Sequence, residues 1–99
     1  MHFTLVFASH EAEDISFSIC FNPCLVWVKG KEVVDNPHPE NPEYQSGDLK
    51  NFLAKSNLEP TSNNVAVIIH PDGHGQQKDL DLLLEDISAI GFKSQTISF

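Results

Sequence analysis

The stretch Val65-Ala66-Val67-Ile68-Ile69 runs five apolar residues without a break, meets Pro71-Asp72-Gly73, and passes into a segment whose apolar residues return every three or four positions. The unbroken run suits a strand covered on both faces, near the middle of a sheet. From about Gln76 or Lys78 to Ile90, the side chains of Leu80, Leu83, Leu84, Ile87 and Ile90 share one helical face. Asp79, Asp81, Glu85 and Asp86 fall mostly on the water side of that helix. Gly91 fits the left-handed position just past its end, and Phe92 the apolar contact that accompanies such an ending. Ser94, Thr96 and Ser98 then alternate with Gln95, Ile97 and Phe99, the period of a last strand over Lys93 to Phe99. Parallel strands joined this way form a right-handed βαβ unit, which needs more sheet beside it.

The first half supplies that sheet. Ile15, Phe17, Ile19 and Phe21 alternate with Ser16, Ser18 and Cys20, and Leu25 to Val28 forms a second strand after an Asn22-Pro23 turn. With that turn Phe17 is expected to face Trp27, and Ile19 to face Leu25. Glu32, Val33 and Val34 can continue the second strand briefly beyond Lys29-Gly30-Lys31. Residues 35–47, DNPHPENPEYQSG, hold three prolines and no apolar period, so they read as a long loop in which His38 is exposed and incidental. Asp48 can cap a short helix carrying Leu49, Phe52 and Leu53 on one face and ending near Ser56-Asn57. The expected fold is α+β, an α/β two-layer sandwich in the order β-β-α-β-α-β, with two helices on one face of a mixed sheet. An extra N-terminal strand at residues 3–7 is a further candidate.

A chain of 99 residues has room for one domain, residues 1–99, with one core. Its net charge of −8, from fourteen acidic against six basic residues, opposes direct binding to DNA or RNA. Met1 to Ser9 lacks the basic start of a signal peptide, and nowhere do about eighteen apolar residues run together, so no membrane span is expected in this chain.

Two cysteines, Cys20 and Cys24, are too few for a structural zinc site. If a three-residue turn sets them opposite each other they can form a strained cross-strand disulfide, and otherwise they are half-buried thiols. His70, Asp72 and His74 offer a two-histidine, one-carboxylate metal set. Pro71 and Gly73 remove the helix on which a four-residue histidine spacing would share an ion, so the set is a minor reading and no cofactor or metal is expected. A phosphate cradle lacks its lysine and serine, and no serine elbow or paired cysteine and histidine is written in the chain. HPDGHG is therefore expected to be a turn.

Residues 64–99, NVAVIIHPDGHGQQKDLDLLLEDISAIGFKSQTISF, resemble the end of the periplasmic domain of the ExbD/TolR family. In that family a strand enters a short turn bearing an aspartate, then a helix, an AGF or AGY break and a final strand; Asp72 and Ala89-Ile90-Gly91-Phe92 stand at those places. ISFSICFNPCLVWVKGKEVV is similar to the family's opening hairpin, with Lys29-Gly30-Lys31 at its NGK-type turn, and Leu49 to Ser56 corresponds to its first helix. The resemblance covers about residues 15–99. The family's transmembrane helix, with its proton-carrying aspartate, has no counterpart here, so the resemblance implies the domain's other role: dimerising and binding a periplasmic partner or cell-wall peptide, by docking or by strand addition at an exposed sheet edge. Met1 to Ser9 could instead occupy such an edge.

These readings converge on a non-enzymatic binding domain acting through protein-protein contacts and forming a homodimer, periplasmic if the resemblance holds and cytoplasmic otherwise. The alternative is an acidic cytosolic inhibitor or immunity-type protein, such as a phage-encoded one, that blocks a basic or nucleic-acid-binding site on its target. Trp27 and Tyr44 are the candidate partner-binding anchors, Trp27 only if its face is not wholly covered, because aromatic side chains dominate interface energetics.

Overall fold

A computed structural model describes residues 1–9, 14–21 and 24–99. It is a mixed α+β fold with β1 (His2–Ala8), β2 (Ile15–Phe21), β3 (Leu25–Lys29), β4 (Glu32–His38), α1 (Asp48–Ser56), β5 (Asn64–His70), α2 (Gln77–Ile90) and β6 (Ser94–Ser98). The strands form one sheet in the order β4-β3-β2-β1-β5-β6, antiparallel except for the parallel β5/β6 pair. No helix among the described residues is long and apolar enough to cross a membrane.

The N-terminal strand lies at the centre of the sheet, between β2 and β5, and not at an edge. Phe3, Leu5 and Phe7 alternate with His2, Thr4 and Val6, so one face of β1 enters the core while its backbone pairs on both sides. β5 stands one place from the β6 edge. β5 is also buried on one face only: Val65, Val67 and Ile69 are covered, and Ala66 and Ile68 stay half-buried. An unbroken apolar run here reflects a strand with apolar residues, Ala66 and Ile68, on its open side as well.

The β2/β3 register differs by one pair from expectation. Ile19 faces Trp27 and Phe21 faces Leu25, which sets Cys20 across from Val26. Cys20 and Cys24 are consequently not opposed, and both are free thiols, half-buried. The Asn22-Pro23 turn lies outside the described residues.

β4 extends through Asp35, Asn36, Pro37 and His38, so the loop is shorter than its prolines suggest, residues 39–47. Pro37 fits because β4 is an edge strand, where a missing N–H breaks no ladder. Asp48 is the first helical residue of α1 rather than its cap; Gly47, at φ 92°, precedes it. At α2, Gln76 and Asp79 form a capping box, and Gly91 at φ 86° closes the helix as its position implies, with Phe92 stacked on Phe7.

The core lies between one face of the sheet and the two helices, joining Phe3, Leu5, Ile19 and Trp27 to Leu49, Phe52, Leu83 and Ile87. Phe52 meets Phe17 edge-on at 4.8 Å and stacks on Trp27 within 3° of parallel. Each such pair adds about 1 kcal/mol beyond the area it buries.

Candidate functional site

His70 ends β5 and turns its ring onto His2 of β1, stacked at 4.1 Å and 6°. Its Nε2 meets Thr4 Oγ1 at 2.9 Å, and Thr4 in turn meets Ser18 Oγ at 3.1 Å. His2 Nδ1 donates to the Asp72 carbonyl at 3.2 Å and stands 3.6 Å from its carboxylate, which is 80% exposed. His74 is exposed. The set His70, Asp72 and His74 is thus not gathered around one point, and no group of three or more histidine, cysteine or acidic side chains among the described residues could hold a metal ion.

The HPDGHG glycines have a packing role instead. Gly75 N–H donates to Met1 O at 2.7 Å, and a Cβ on Gly75 would stand 2.4 Å from that oxygen and 2.8 Å from the Phe21 ring. Gly73, at φ 98°, leaves room for Met1 and the Cβ of His2. The loop is a turn shaped to receive the start of β1.

The sheet does assemble a row that sequence reasoning missed. One step beyond Phe3↔Ile19, the β1/β2 register brings Cys20 across from His2, so Cys20, His2 and His70 neighbour one another on three adjacent strands. The period-two alternation of residues 2–8 marks His2 as an outward residue of a strand, but not which strands lie beside it. A cysteine beside a histidine suggests a nucleophile, but burial, reinforced by the Asp72 charge, pushes the Cys20 thiol up. The thiolate is disfavoured where nucleophilic catalysis would need it.

Tyr44 and Trp27 are both core residues, 2% and 0% exposed, so neither presents its side chain to a partner. The condition attached to Trp27 is not met: its ring lies under Phe52, with Nε1 buried and lacking a hydrogen-bond partner. Tyr44 pins the 39–47 loop. Its hydroxyl donates to Asp86 Oδ2 at 2.6 Å and accepts from Leu49 N–H at 2.9 Å, while its own N–H donates to Asp79 Oδ1 at 3.0 Å. Burial first, then Asp86, drives the Tyr44 hydroxyl far above its ordinary ionisation range.

Three aspartates are buried around this loop, and each is met by backbone donors. Asp86 accepts from Gly47 N–H at 2.9 Å, Asp79 from Gln76 N–H at 2.6 Å, and Asp48 from Gln45 N–H at 2.8 Å. Asp79 and Asp86 therefore face inward, contrary to the solvent side expected of them. His38, expected to be exposed, is half-buried with Nε2 2.7 Å from Asp48 Oδ1. These carboxylates hold the chain together.

Two surfaces remain as binding candidates. A cleft of about 510 Å³ between α1 and α2 is lined by Lys50, Leu53, Ala54, Leu58, Ala89 and Ile90, with Asp86 at its floor. The second is β6. All five of its residues are exposed and uncharged, Ile97 is 48% exposed, and Phe99 just beyond is 96% exposed. The opposite edge is guarded, since β4 carries Pro37, register irregularities against β3, and the Asp35–Lys55 ion pair.

Compared with known proteins, the chain matches no family model, no curated protein and no solved structure.

Proposed function

We propose that the chain is a non-enzymatic binding domain acting through protein-protein contacts, and that it takes up an extended segment of a partner along β6. This is the role that the likeness to the soluble ExbD/TolR domain implies. The observation that carries it is the unguarded edge: Ser94-Gln95-Thr96-Ile97-Ser98 has no charge, proline or bulge, and all five residues are exposed. An added strand would gain main-chain hydrogen bonds there, with Ile97 and Phe99 supplying apolar contact.

The test is a random-peptide display selection against the full chain, followed by mapping of backbone amide shifts with the selected peptides. Perturbations centred on Ser94–Ser98, and binding lost on Ile97→Lys, are expected. Peptides that perturb only the α1/α2 cleft would overturn the assignment to β6.

A second reading, an acidic inhibitor of a basic target, draws on the outward Asp81 and Glu85 of α2 within a chain of net charge −8. Peptides rich in lysine and arginine, with affinity that falls steeply as salt rises, would favour it over strand uptake.

A further inference from the structure

The three buried aspartates are not equally well supplied with donors. Asp79 Oδ1 and Oδ2 take the Tyr44 and Gln76 N–H groups at 3.0 and 2.6 Å, and Asp48 Oδ1 and Oδ2 face His38 and the Gln45 N–H at 2.7 and 2.8 Å. Asp86 Oδ2 takes both the Tyr44 hydroxyl at 2.6 Å and the Gly47 N–H at 2.9 Å. Asp86 Oδ1 has only the Ser46 hydroxyl, at 3.4 Å, too long for a full O–H···O bond. These three donors to Asp86 are neutral, and among the described residues no lysine or histidine lies within ion-pair reach of it. A carboxylate only 8% exposed is thus left with one oxygen under-supplied and no cation, a deficit that burial makes costly.

Ser46 and Asp86 both line the cleft of about 510 Å³ between α1 and α2, and Oδ1 is the Asp86 oxygen on the Ser46 side. Leu53, Leu58, Pro60 and Ile90 make its walls apolar. A cleft of this size, apolar with a buried carboxylate at its floor, has the make-up of a small-molecule site. We infer that it binds a small amphipathic amine, whose ammonium donates to Asp86 Oδ1 and whose hydrocarbon body lies against Leu53, Leu58 and Ile90. The ammonium supplies both the donor and the charge that Asp86 lacks, as a charge-assisted bond between apolar walls. The net charge of −8 draws cations toward the chain. Lys50, the cation on the lining, is exposed at the rim, and an anion drawn to it would have to enter against Asp86. A lysine side chain from another protein carries the same head, but its short arm leaves most of the cleft unfilled, which favours a free molecule. The site is separate from β6 and does not rest on strand uptake there.

Titration of the full chain with octylamine, octanol and octanoate, followed by backbone amide shifts, tests this. Octylamine is expected to move Gly47, Ala54, Ala89 and Ile90 first and to bind about tenfold or more tightly than octanol, the worth of one charge-assisted hydrogen bond. Octanoate leaves the cleft unmoved. Asp86→Asn brings octylamine down to the level of octanol, Ala89→Phe fills the cleft from an exposed position of α2 and abolishes binding, and Lys50→Ala leaves it intact. Octanoate binding as tightly as octylamine, octylamine shifts centred on the exposed Asp81 and Glu85, or binding unchanged in Ala89→Phe would each overturn the inference. A blocked lysine, Nα-acetyl-lysine methylamide, that binds as tightly as octylamine would overturn the assignment to a free molecule and place a partner's side chain in the cleft. The difference between octylamine and octanol in the unaltered chain decides if Asp86→Asn does not fold.

Discussion

The Tyr44 hydroxyl donates to Asp86 Oδ2 at 2.6 Å while accepting the Leu49 N–H at 2.9 Å, so one buried oxygen ties the 39–47 loop to both helices. Tyr44→Phe removes it without changing the ring. Asp86 keeps Gly47 N–H and Ser46 Oγ, but the Leu49 amide is left buried with no acceptor. A loss of about 1–3 kcal/mol is expected, the usual cost of an unsatisfied buried group. Urea denaturation should show a lower midpoint with an unchanged slope, because the surface exposed on unfolding is the same.

Stability should fall in alkali. Tyr44 is held protonated in the folded chain above its ordinary 10.0, by burial and then by Asp86. Cys20 is likewise held above its ordinary 9.0, by burial and then by Asp72. Below those ordinary values both states keep these protons and the stability is fully present. Above them the unfolded chain releases protons that the folded chain retains, so stability is lost as pH rises. For Tyr44 the slope is about 1.4 kcal/mol per pH unit while only its unfolded form is ionised, and for the half-buried Cys20 it is smaller. Thermal unfolding measured from neutral pH upward should show the decline starting near 9 and steepening near 10. In Cys20→Ser the onset moves to the Tyr44 range, and in Tyr44→Phe the later steepening disappears.

His38 Nε2 stands 2.7 Å from Asp48 Oδ1, on a carboxylate that is only 4% exposed. His38→Ala leaves Asp48 with the Gln45 N–H alone among its side chain's hydrogen bonds. Leaving a buried acceptor one donor short costs about 1–3 kcal/mol, and the 22% exposure of His38 places the loss toward the lower end. Chemical denaturation of His38→Ala and His38→Gln separates the terms, since glutamine can still donate to Asp48 and should recover part of the loss.

How much of this was legible in the chain depends on whether the signal was local. α2 and its glycine ending follow from apolar residues three and four apart, and β6 from simple alternation, because each is specified within one element. The central place of β1 could not be read that way. Phe3, Leu5 and Phe7 announce a strand, but its two neighbours lie at Ile15–Phe21 and Asn64–His70, and nothing within residues 2–8 names them. Tyr44 was misplaced because a lone aromatic in a proline-rich loop has no period. A signal did exist on its partner element: Asp79 and Asp86 are seven apart on α2, two turns along the face that holds Leu83, so both carboxylates had to point into the core.

Gly75 separates a packing role from a conformational one. A Cβ there would meet Met1 O at 2.4 Å and the Phe21 ring at 2.8 Å, and both belong to central strands or their approach, so neither can retreat cheaply. Gly75→Ala should therefore lose about 1–3 kcal/mol by overpacking. Gly30, at φ 64° in the β3/β4 turn, has nothing within 4 Å of the same added atom. Gly30→Ala should lose only the left-handed backbone preference, about 1 kcal/mol. The two variants also differ in where they act. Hydrogen exchange in Gly75→Ala should rise at the amides of β1 and the end of β5, while in Gly30→Ala it should rise only at the β3/β4 edge. Equal losses with the same exchange pattern would mean that the HPDGHG loop yields freely and does not hold the start of β1 in place.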